Sequence, residues 1–441
     1  MADLFRQCSA TVIRYPMSFK PHSFWPGPRP HLPDGRHRFQ VHTFDSLAIR
    51  DFRLILMNSL LVNAGKWVHG VVVGWLTFNL TQSPFITALA VGLDLLPVLF
   101  IGPFAGVFLD AFDRRKTLAI FCAFQALSML VFRFVIIMGA ATAAGVLIYA
   151  VMNGTARVVI DPGRTALLAS TVPANRIVNS FAMNSIVANF TRMIMPALAG
   201  VLIAFAGAGW TLLLGAGILA AAAVFSWAMR PQVAGLQKLQ RNSLLSKSVE
   251  GAKYAMKQRP VLAVLLLSTI STLLVLPFVQ GLMPVFAEEV HHVDAQGLGL
   301  MVAALGAGPF IASFALASAN FKRPGRASII FSVLLALGTI WFDFSPTFIM
   351  ALVALTVYAS FHTSFNVVNS ASLQALIPDD LRGRVLSFAG MIGGAQALGA
   401  IGAGALAEWI GAPHATAAAA ACVLVFLALF VIRFPEIWKL K

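Results

Sequence analysis

The sequence predicts an all-α polytopic membrane protein, with twelve transmembrane helices in two pseudo-symmetric six-helix bundles. Three observations carry this prediction: the composition, the placement of the basic residues and an internal repeat. The 441 residues are 59% hydrophobic and 11% charged, and the mean hydropathy is +0.82. Soluble domains carry about 25% charged residues. The composition therefore excludes a soluble globular class.

Basic residues occur in every second connection between the apolar runs. Of the 32 Lys and Arg residues, seven lie within 1–50 and seven within 230–259. The alternate connections have neither Lys nor Arg: 81–85, 139–145, 206–210, 289–296, 343–347 and 410–414. Lys and Arg concentrate on the cytoplasmic side of membranes, so we expect a multi-pass protein of the bacterial plasma (inner) membrane with both termini in the cytoplasm. The net charge of +15 then needs no nucleic acid to explain it.

Short motifs recur between the two halves of the chain. Gly102–Phe104 recurs as Gly308–Phe310, and Ser180–Ala182 recurs as Ser387–Ala389, at nearly the same separation. Two bundles related about an axis along the membrane normal would produce this repeat.

Twelve segments have the length of about 20 apolar residues that a transmembrane helix needs. In chain order they are 52–80, 86–110, 117–138, 144–170, 178–205, 210–229, 261–288, 297–320, 327–343, 347–376, 385–409 and 413–433. An even number of spans returns the chain to the side on which it starts, as the basic surroundings of both termini require.

The connections divide the chain into five predicted parts. In chain order they are a disordered basic cytoplasmic extension, a bundle, a cytoplasmic linker, a second bundle and a cytoplasmic tail: 1–50, 51–229, 230–260, 261–433 and 434–441. In the linker, Ser243–Arg259 places its apolar residues near one helical face, which predicts an amphipathic helix at the membrane surface.

The connection after the second predicted span carries a cluster of charges. The apolar run ends at Asp110, and Arg114 and Arg115 follow directly after a short turn. Gly106, one helical turn before Asp110, permits close approach of another backbone. Asp110 can meet the arginines or the positive N-terminus of a neighbouring helix.

This connection resembles the cytoplasmic loop motif of the major facilitator superfamily, Gly-x-Leu-Ala-Asp-Arg-x-Gly-Arg-Arg/Lys. Gly106, Asp110, Arg114 and Arg115 stand at matching positions, and Ala111 replaces the first Arg of the motif. The resemblance implies twelve spans and secondary transport of a small molecule.

A second stretch, Gln374–Val385, couples a loop proline, an acidic pair and Arg-Gly-Arg to a helix start. It is similar to the branch that includes the enterobactin exporter and macrolide-efflux-like proteins. The resemblance implies a cytoplasmic gate built from Gly106, Asp110, Arg114, Arg115, Asp379, Asp380, Arg382 and Arg384. It also implies a monomer in lipid that moves a small-molecule substrate with protons and needs no cofactor.

Ionisable residues inside apolar spans are costly, so each calls for a partner or a role. Asp94 in the second span either takes part in proton or substrate coupling, forms a buried hydrogen bond or lies at a solvated helix end. Arg157 and Asp161 are four residues apart on one helix face. Their spacing predicts either a local neutralising pair or a coupling role.

The fifth and first spans carry three further candidates for coupling. Arg192 either attracts an anionic substrate or pairs with Asp161 or Asp94. Lys66 and His69 are three residues apart, and we expect them to line a central cavity. His69 either titrates near neutral pH or stays a neutral, hydrogen-bonded imidazole.

Three polar residues of the tenth span, His362, Asn366 and Asn369, share one face and predict either cavity lining or a helix contact. In the fifth span, Pro196 and Gly200 predict a helix hinge with close packing.

An outer connection gathers Glu288, Glu289, His291 and His292. These residues either bind a metal or form a solvated face. We expect no metal, since nothing in the sequence fixes their geometry.

The function that these residues favour is proton-coupled efflux of small amphiphilic molecules, drug-like or siderophore-like, by alternating access. An uptake permease for a small metabolite is the alternative, because the fold does not set the direction. An intramembrane enzyme is the third alternative, although the sequence has no Gly-x-Ser-x-Gly, His-Glu-x-x-His or phosphate-binding loop.

Overall fold

A computed structural model of the chain describes residues 46–230, 251–317 and 323–438. The first described half is helical, with elements α1 (Arg50–Thr81), α2 (Pro84–Ala111), α3 (Arg114–Ile137), α4 (Ala143–Ser170) and a long helix, Ile177–Trp227. Gly207 divides the long helix into α5 (177–206) and α6 (208–227), because its φ of 82° and ψ of 165° are not helical. Only glycine adopts such a conformation readily.

The second described half continues with helices α7 to α12. They are α7 (Arg259–Val290), α8 (Ala295–Ala317), α9 (Pro324–Asp343), α10 (Phe348–Leu376), α11 (Asp379–Gly394 followed by Gln396–Ile410) and α12 (Ala412–Arg433). Two π-helical segments interrupt α7, at Ser271–Val275 and Phe286–Val290. A short helix, α13 (Pro435–Trp438), follows. We call α1–α6 the N-terminal half and α7–α12 the C-terminal half.

The fold is the predicted all-α, twelve-span architecture, with ends that differ from the prediction by a few residues. Two predicted spans, 178–205 and 210–229, follow each other with only the non-helical Gly207 between their helices. The predicted span 385–409 begins earlier, at Asp379, and is interrupted at Ala395. The predicted amphipathic helix lies partly outside the described residues, and 251–257 are helical. The predicted extension lies outside them as far as residue 45.

Helix starts follow local side-chain chemistry. Four helices begin after a residue whose side-chain oxygen accepts a backbone N–H of the first turn: Ser83, Asp113, Thr142 and Thr347. Such caps satisfy N–H groups that have no partner inside the helix. In a bilayer this matters more, because no water replaces a missing partner.

Nine helices of the described residues are long and apolar enough to cross a membrane, with α5 and α6 counted together. α1 is long enough but more polar, and α11 is interrupted. Large apolar side chains such as Phe100, Phe205 and Trp409 are exposed on the outside of the protein. Such a surface suits lipid, whereas soluble proteins rarely expose so large an apolar area.

Helix packing follows the same pattern in both halves. α2 and α3 pack on α4 in the N-terminal half, and α8 and α9 pack on α10 in the C-terminal half. Between the halves, α5 packs on α8 and α2 packs on α11. The pairs of helices that meet are therefore related by a shift of six helices, as an internal repeat requires.

Candidate functional site

A cavity of about 330 Å³ lies between the two halves. It is lined by α1, α2, α4 and α5 on one side and by α7, α8, α10 and α11 on the other. Six residues that the sequence singled out line it: Lys66, His69, Asp94, Arg157, Arg192 and His362. Buried cavities with an apolar wall and a few converging polar groups are typical ligand sites.

Asp94 of α2 is the centre of the charged wall. Arg157 of α4 donates a hydrogen bond from Nη1 to its Oδ2. His69 Nε2 of α1 lies 3.3 Å from its Oδ1. All three side chains are largely shielded from solvent, with Asp94 at 14% exposure. One carboxylate on α2 therefore contacts side chains of α1 and α4. Any change in its charge must affect the contacts among these three helices.

Gly154 permits this arrangement. A Cβ at Gly154 would overlap the backbone carbonyl of Asp94. The missing side chain lets α4 and α2 approach closely, as small residues do between transmembrane helices. Arg157, almost one turn further along α4, is thereby brought within reach of the Asp94 carboxylate.

Gly154→Ala is expected to lower stability by about 1–3 kcal/mol, the usual cost of overpacking a tight contact. We also expect a loss of transport, because α2 would move away from Arg157. The measurement is the melting temperature of the purified protein. Gly217→Ala is the control, because no neighbouring element of the described structure lies within 4 Å of a Cβ there. An unchanged melting temperature in Gly154→Ala would contradict the close contact.

The local Arg157–Asp161 pair predicted from their spacing is wrong. The Arg157 guanidinium binds Asp94, while Asp161 pairs with Arg164 Nη2 at 3.2 Å. Arg164 Nη1 also donates to Ser59 Oγ at 3.3 Å. Helix spacing alone cannot show that a neighbouring helix offers Arg157 a closer carboxylate. Two separate ion pairs result, and Asp161 does not line the cavity.

His69 is also positioned by aromatic rings. Its ring meets Tyr149 edge-on, with centroids 5.0 Å apart. Tyr149 in turn stacks on Phe132 at 4.5 Å. Nδ1 of His69 is buried and has no hydrogen-bond partner among the described atoms. These contacts fix the imidazole beside Asp94.

Lys66 and Arg192 stand near one aromatic ring. Lys66 Nζ and Arg192 Cζ are each 5.7 Å from the Trp67 ring centroid. Among the described residues, no carboxylate lies within ion-pair distance of either cation. The pairing of Arg192 with Asp161 or Asp94 is therefore not what the structure shows. Sequence reasoning missed Trp67, although its position between Lys66 and His69 was a usable signal.

The polar face of α10 divides between two places. His362 lines the cavity, and Asn366 Nδ2 lies 3.1 Å from its ring Nε2. Asn369 donates to Val264 O at 3.3 Å and to Ser268 Oγ, so it joins α10 to α7. Asn369 also lines a second cavity, of about 220 Å³, in the C-terminal half. Gln280 and Gln396 are further polar lining residues that the sequence analysis did not single out.

Pro196 and Gly200 lie inside the continuous helix of α5. A Cβ at Gly200 would overlap the carbonyl of Ala295 and lie 2.9 Å from Gly299 Cα. These residues form a close contact between α5 and α8. The non-helical residue of the long helix is Gly207.

The predicted cytoplasmic gate is described only in part. The side chains of Gly106, Asp110, Asp379, Asp380 and Arg382 lie outside what the structure describes. Arg114 and Arg384 both have interaction partners.

Arg115 is described in detail. It donates from Nη1 to Met229 O at 2.7 Å and to Trp227 O at 3.3 Å. It thereby binds the carbonyls at the end of α6, where a cation is favoured. This contact lies inside the N-terminal half.

Hydrogen bonds join the halves at the end whose connections have neither Lys nor Arg, which we call the outer end. Glu408 of α11 accepts from Ser83 Oγ at 3.0 Å and from the Phe85 N–H at 3.1 Å. Gln82 donates to Glu288 Oε1 at 3.2 Å. The Glu408 carboxylate therefore lies at the N-terminus of α2, where negative charge is stabilised.

The acidic and histidine residues of this end do not converge on a metal site. The His291 ring lies 6.1 Å from that of Phe348, and His292 Nδ1 contacts Glu288 O at 3.1 Å. Burial, together with the neighbouring His292, lowers the pKa of His291. In the described part of the chain, no three His, Cys, Asp or Glu residues could hold a metal ion.

A twelve-helix bundle around a central charged cavity defines a polytopic membrane transporter. Residues 41–440 match the family described as transmembrane secretion effector, a family of the major facilitator superfamily. The chain belongs to that family.

Curated relatives and solved structures agree with this assignment. The multidrug efflux pump Tap of Mycobacterium tuberculosis is 26% identical over 404 residues, covering 88% of this chain and 94% of Tap. The staphyloferrin A transporter of Staphylococcus aureus is 23% identical over 355 residues, covering 78% of this chain and 86% of that protein. The nucleoside transporter NupG superposes with a TM-score of 0.68, covering 89% of this chain and 100% of NupG, at 14% identity. The NupG likeness shows the shared fold.

Proposed function

We propose that the protein is a proton-coupled exporter of small amphiphilic molecules that works by alternating access. The observation that carries this proposal is the group formed by Asp94, His69 and Arg157, which lies in the cavity between the halves. The carboxylate can bind either a proton or its guanidinium partner, so the site has two charge states. The kinship with an efflux pump and a siderophore transporter supports the direction and the kind of substrate.

Protonation of Asp94 would weaken its attraction for Arg157. The freed guanidinium could then turn towards the cavity, while deprotonation would draw it back. Protonation of Asp94 would thus change the charge that the cavity presents to a substrate. Such coupling between proton binding and substrate binding is what a proton-driven transporter needs.

The remaining parts of the proposal follow from the sequence. The basic connections face the cytoplasm of a bacterium, with both termini on that side and the protein working as a monomer in lipid. The gate residues around Asp110 and Asp379 would close the cytoplasmic side. The outer-end contacts of Glu408 would then close the opposite side of the cavity.

The direction of transport can be tested in everted membrane vesicles. An ammonium gradient acidifies the vesicle interior, while valinomycin and potassium hold the membrane potential at zero. The probes are three dansyl amides: dansylglycine (an anion), dansylglycinamide (neutral) and dansylcadaverine (a cation). We expect acidification to drive accumulation of at least one probe beyond that in vesicles without the protein. Proton-driven loss of a preloaded probe would instead support an uptake permease.

A further inference from the structure

The charges that face the cavity do not balance among the described residues. Asp94 on α2 and Asp161 on α4 each have their own guanidinium partner. Lys66 and Arg192 have no carboxylate at ion-pair distance. The described wall of the cavity therefore carries an excess of positive charge.

Neither surplus cation forms an ion pair with a described residue around it. Arg192 Nε is buried and has no hydrogen-bond partner among the described atoms. Both cations lie 5.7 Å from the Trp67 ring centroid. A cation–π contact at this distance is weak compared with the cost of removing a charge from water. The two cations lie at the same ring without an anion between them. An anionic ligand could therefore bind at this position.

The backbone holds Arg192 at this place. A Cβ at Gly306 of α8 would lie 2.6 Å from the Arg192 carbonyl oxygen, so α8 presses directly on α5 there. The residue consequently sits at the contact between the halves. A ligand that binds Arg192 would bind next to the surface along which the halves move.

We propose that the cavity binds an amphiphilic organic carboxylate, with its anionic group between Lys66 and Arg192 and its apolar body against Trp67. This inference rests on the proposed transport function, because it names the substrate class of the same cavity. The apolar lining offers further contacts through Leu95, Met283 and Leu305. The cavity volume of about 330 Å³ admits a small molecule rather than a peptide.

The test is an equilibrium binding titration of the full-length protein in phosphatidylcholine nanodiscs, without any ion gradient. The same three dansyl amides serve as probes, with empty nanodiscs subtracted. We expect wild type to bind dansylglycine at least about tenfold more tightly than dansylcadaverine, a modest difference for one opposite charge. Equal affinities, a preference for dansylcadaverine, or no binding of dansylglycine would overturn the proposal.

Variants then locate the anion. Arg192→Gln and Lys66→Gln are each expected to reduce the preference for dansylglycine at least about threefold, while Arg192→Lys retains most of it. Arg133→Gln is the matched control, because Arg133 lies 5.2 Å from the Trp210 ring and does not line the cavity. The proposed site would be overturned if Arg133→Gln removed the preference for dansylglycine. It would also be overturned if both Arg192→Gln and Lys66→Gln kept that preference, because the anion would then bind elsewhere. Melting temperatures identify variants that fail to fold.

This measurement is independent of the direction of transport. An uptake permease with the same cavity would show the same binding preference, while the vesicle experiment would report the opposite flux. An exporter of cations would show proton-driven accumulation of dansylcadaverine together with the reversed preference. The failure of either proposal can therefore be recognised separately.

Discussion

Asp94→Asn is expected to reduce proton-driven transport to the level of vesicles without the protein. Asparagine keeps the shape of the side chain but cannot gain or lose a proton at physiological pH. It also leaves Arg157 without its carboxylate partner. Loss of one member of a buried ion pair costs about 3–5 kcal/mol, so the variant should also melt at a lower temperature.

A double variant separates these two effects. Asp94→Asn together with Arg157→Gln removes both charges of this pair, so neither member is left without its partner. We expect its melting temperature to return towards that of wild type while proton-driven transport stays absent. A double variant that regains transport would show that the pair serves folding alone.

Asp294→Asn is the matched control for the chemistry of the substitution. The Asp294 side chain accepts the N–H of Gly297 at 3.1 Å near the start of α8, and asparagine can do the same. This variant is expected to transport like wild type. Unchanged proton-driven flux in Asp94→Asn would remove Asp94 from the proton path and would contradict the coupling mechanism.

The fold was predictable because membrane insertion leaves a strong signal in the sequence. Long apolar runs and the distribution of Lys and Arg report directly on spans and loops. Helix interruptions were less predictable. Gly207 joins two spans without a polar loop, and α11 is interrupted at Ala395 although no proline is present there. Such details depend on packing between helices, which a single sequence does not show.

The membership of the candidate site was also predictable, but its pairing was not. Charged residues in apolar spans are rare, so Asp94, Arg157, Arg192 and Lys66 were recognisable as candidates. Which carboxylate Arg157 binds depends on the approach of α2 to α4 at Gly154, which is a tertiary feature.

Asp343 is a buried acidic residue that the sequence does not mark as a candidate. It lies at the end of a predicted span and is not among the predicted candidates, yet the residue is 3% exposed and its carboxylate accepts a hydrogen bond from Thr416. A residue at a span boundary can be read as solvated when tertiary packing in fact buries it.

Glu408→Ala is expected to make the outer end open more often. The variant removes two hydrogen bonds from the Glu408 carboxylate to α2, one from Ser83 and one from the Phe85 N–H. Hydrogen bonds to charged groups contribute about 1.5–3 kcal/mol when buried and less at an exposed position such as this one. A shift of about 1.4 kcal/mol would already raise the population of the open state about tenfold.

Opening of the outer end can be measured in intact cells. The readout is the rate at which a membrane-impermeant maleimide labels a cysteine in the cavity of the protein. Gly70→Cys provides the reporter, because Gly70 lines the cavity and no other element of the described structure lies within 4 Å of an added Cβ. The background lacks Cys8 and the exposed Cys422. We expect labelling to be up to about tenfold faster in Glu408→Ala than in wild type.

Glu436→Ala is the matched control. Glu436, which follows the last span, pairs with Arg259 at the start of α7 at 3.7 Å. That carboxylate makes no described contact across the outer end, so its loss is expected to leave the labelling rate unchanged. Equal labelling rates in Glu408→Ala and wild type would mean that the Glu408 contact does not restrain opening. Closure of the outer end would then depend on the apolar packing of α2 on α11 and of α5 on α8, where glycines such as Gly404 and Gly200 let the backbones meet.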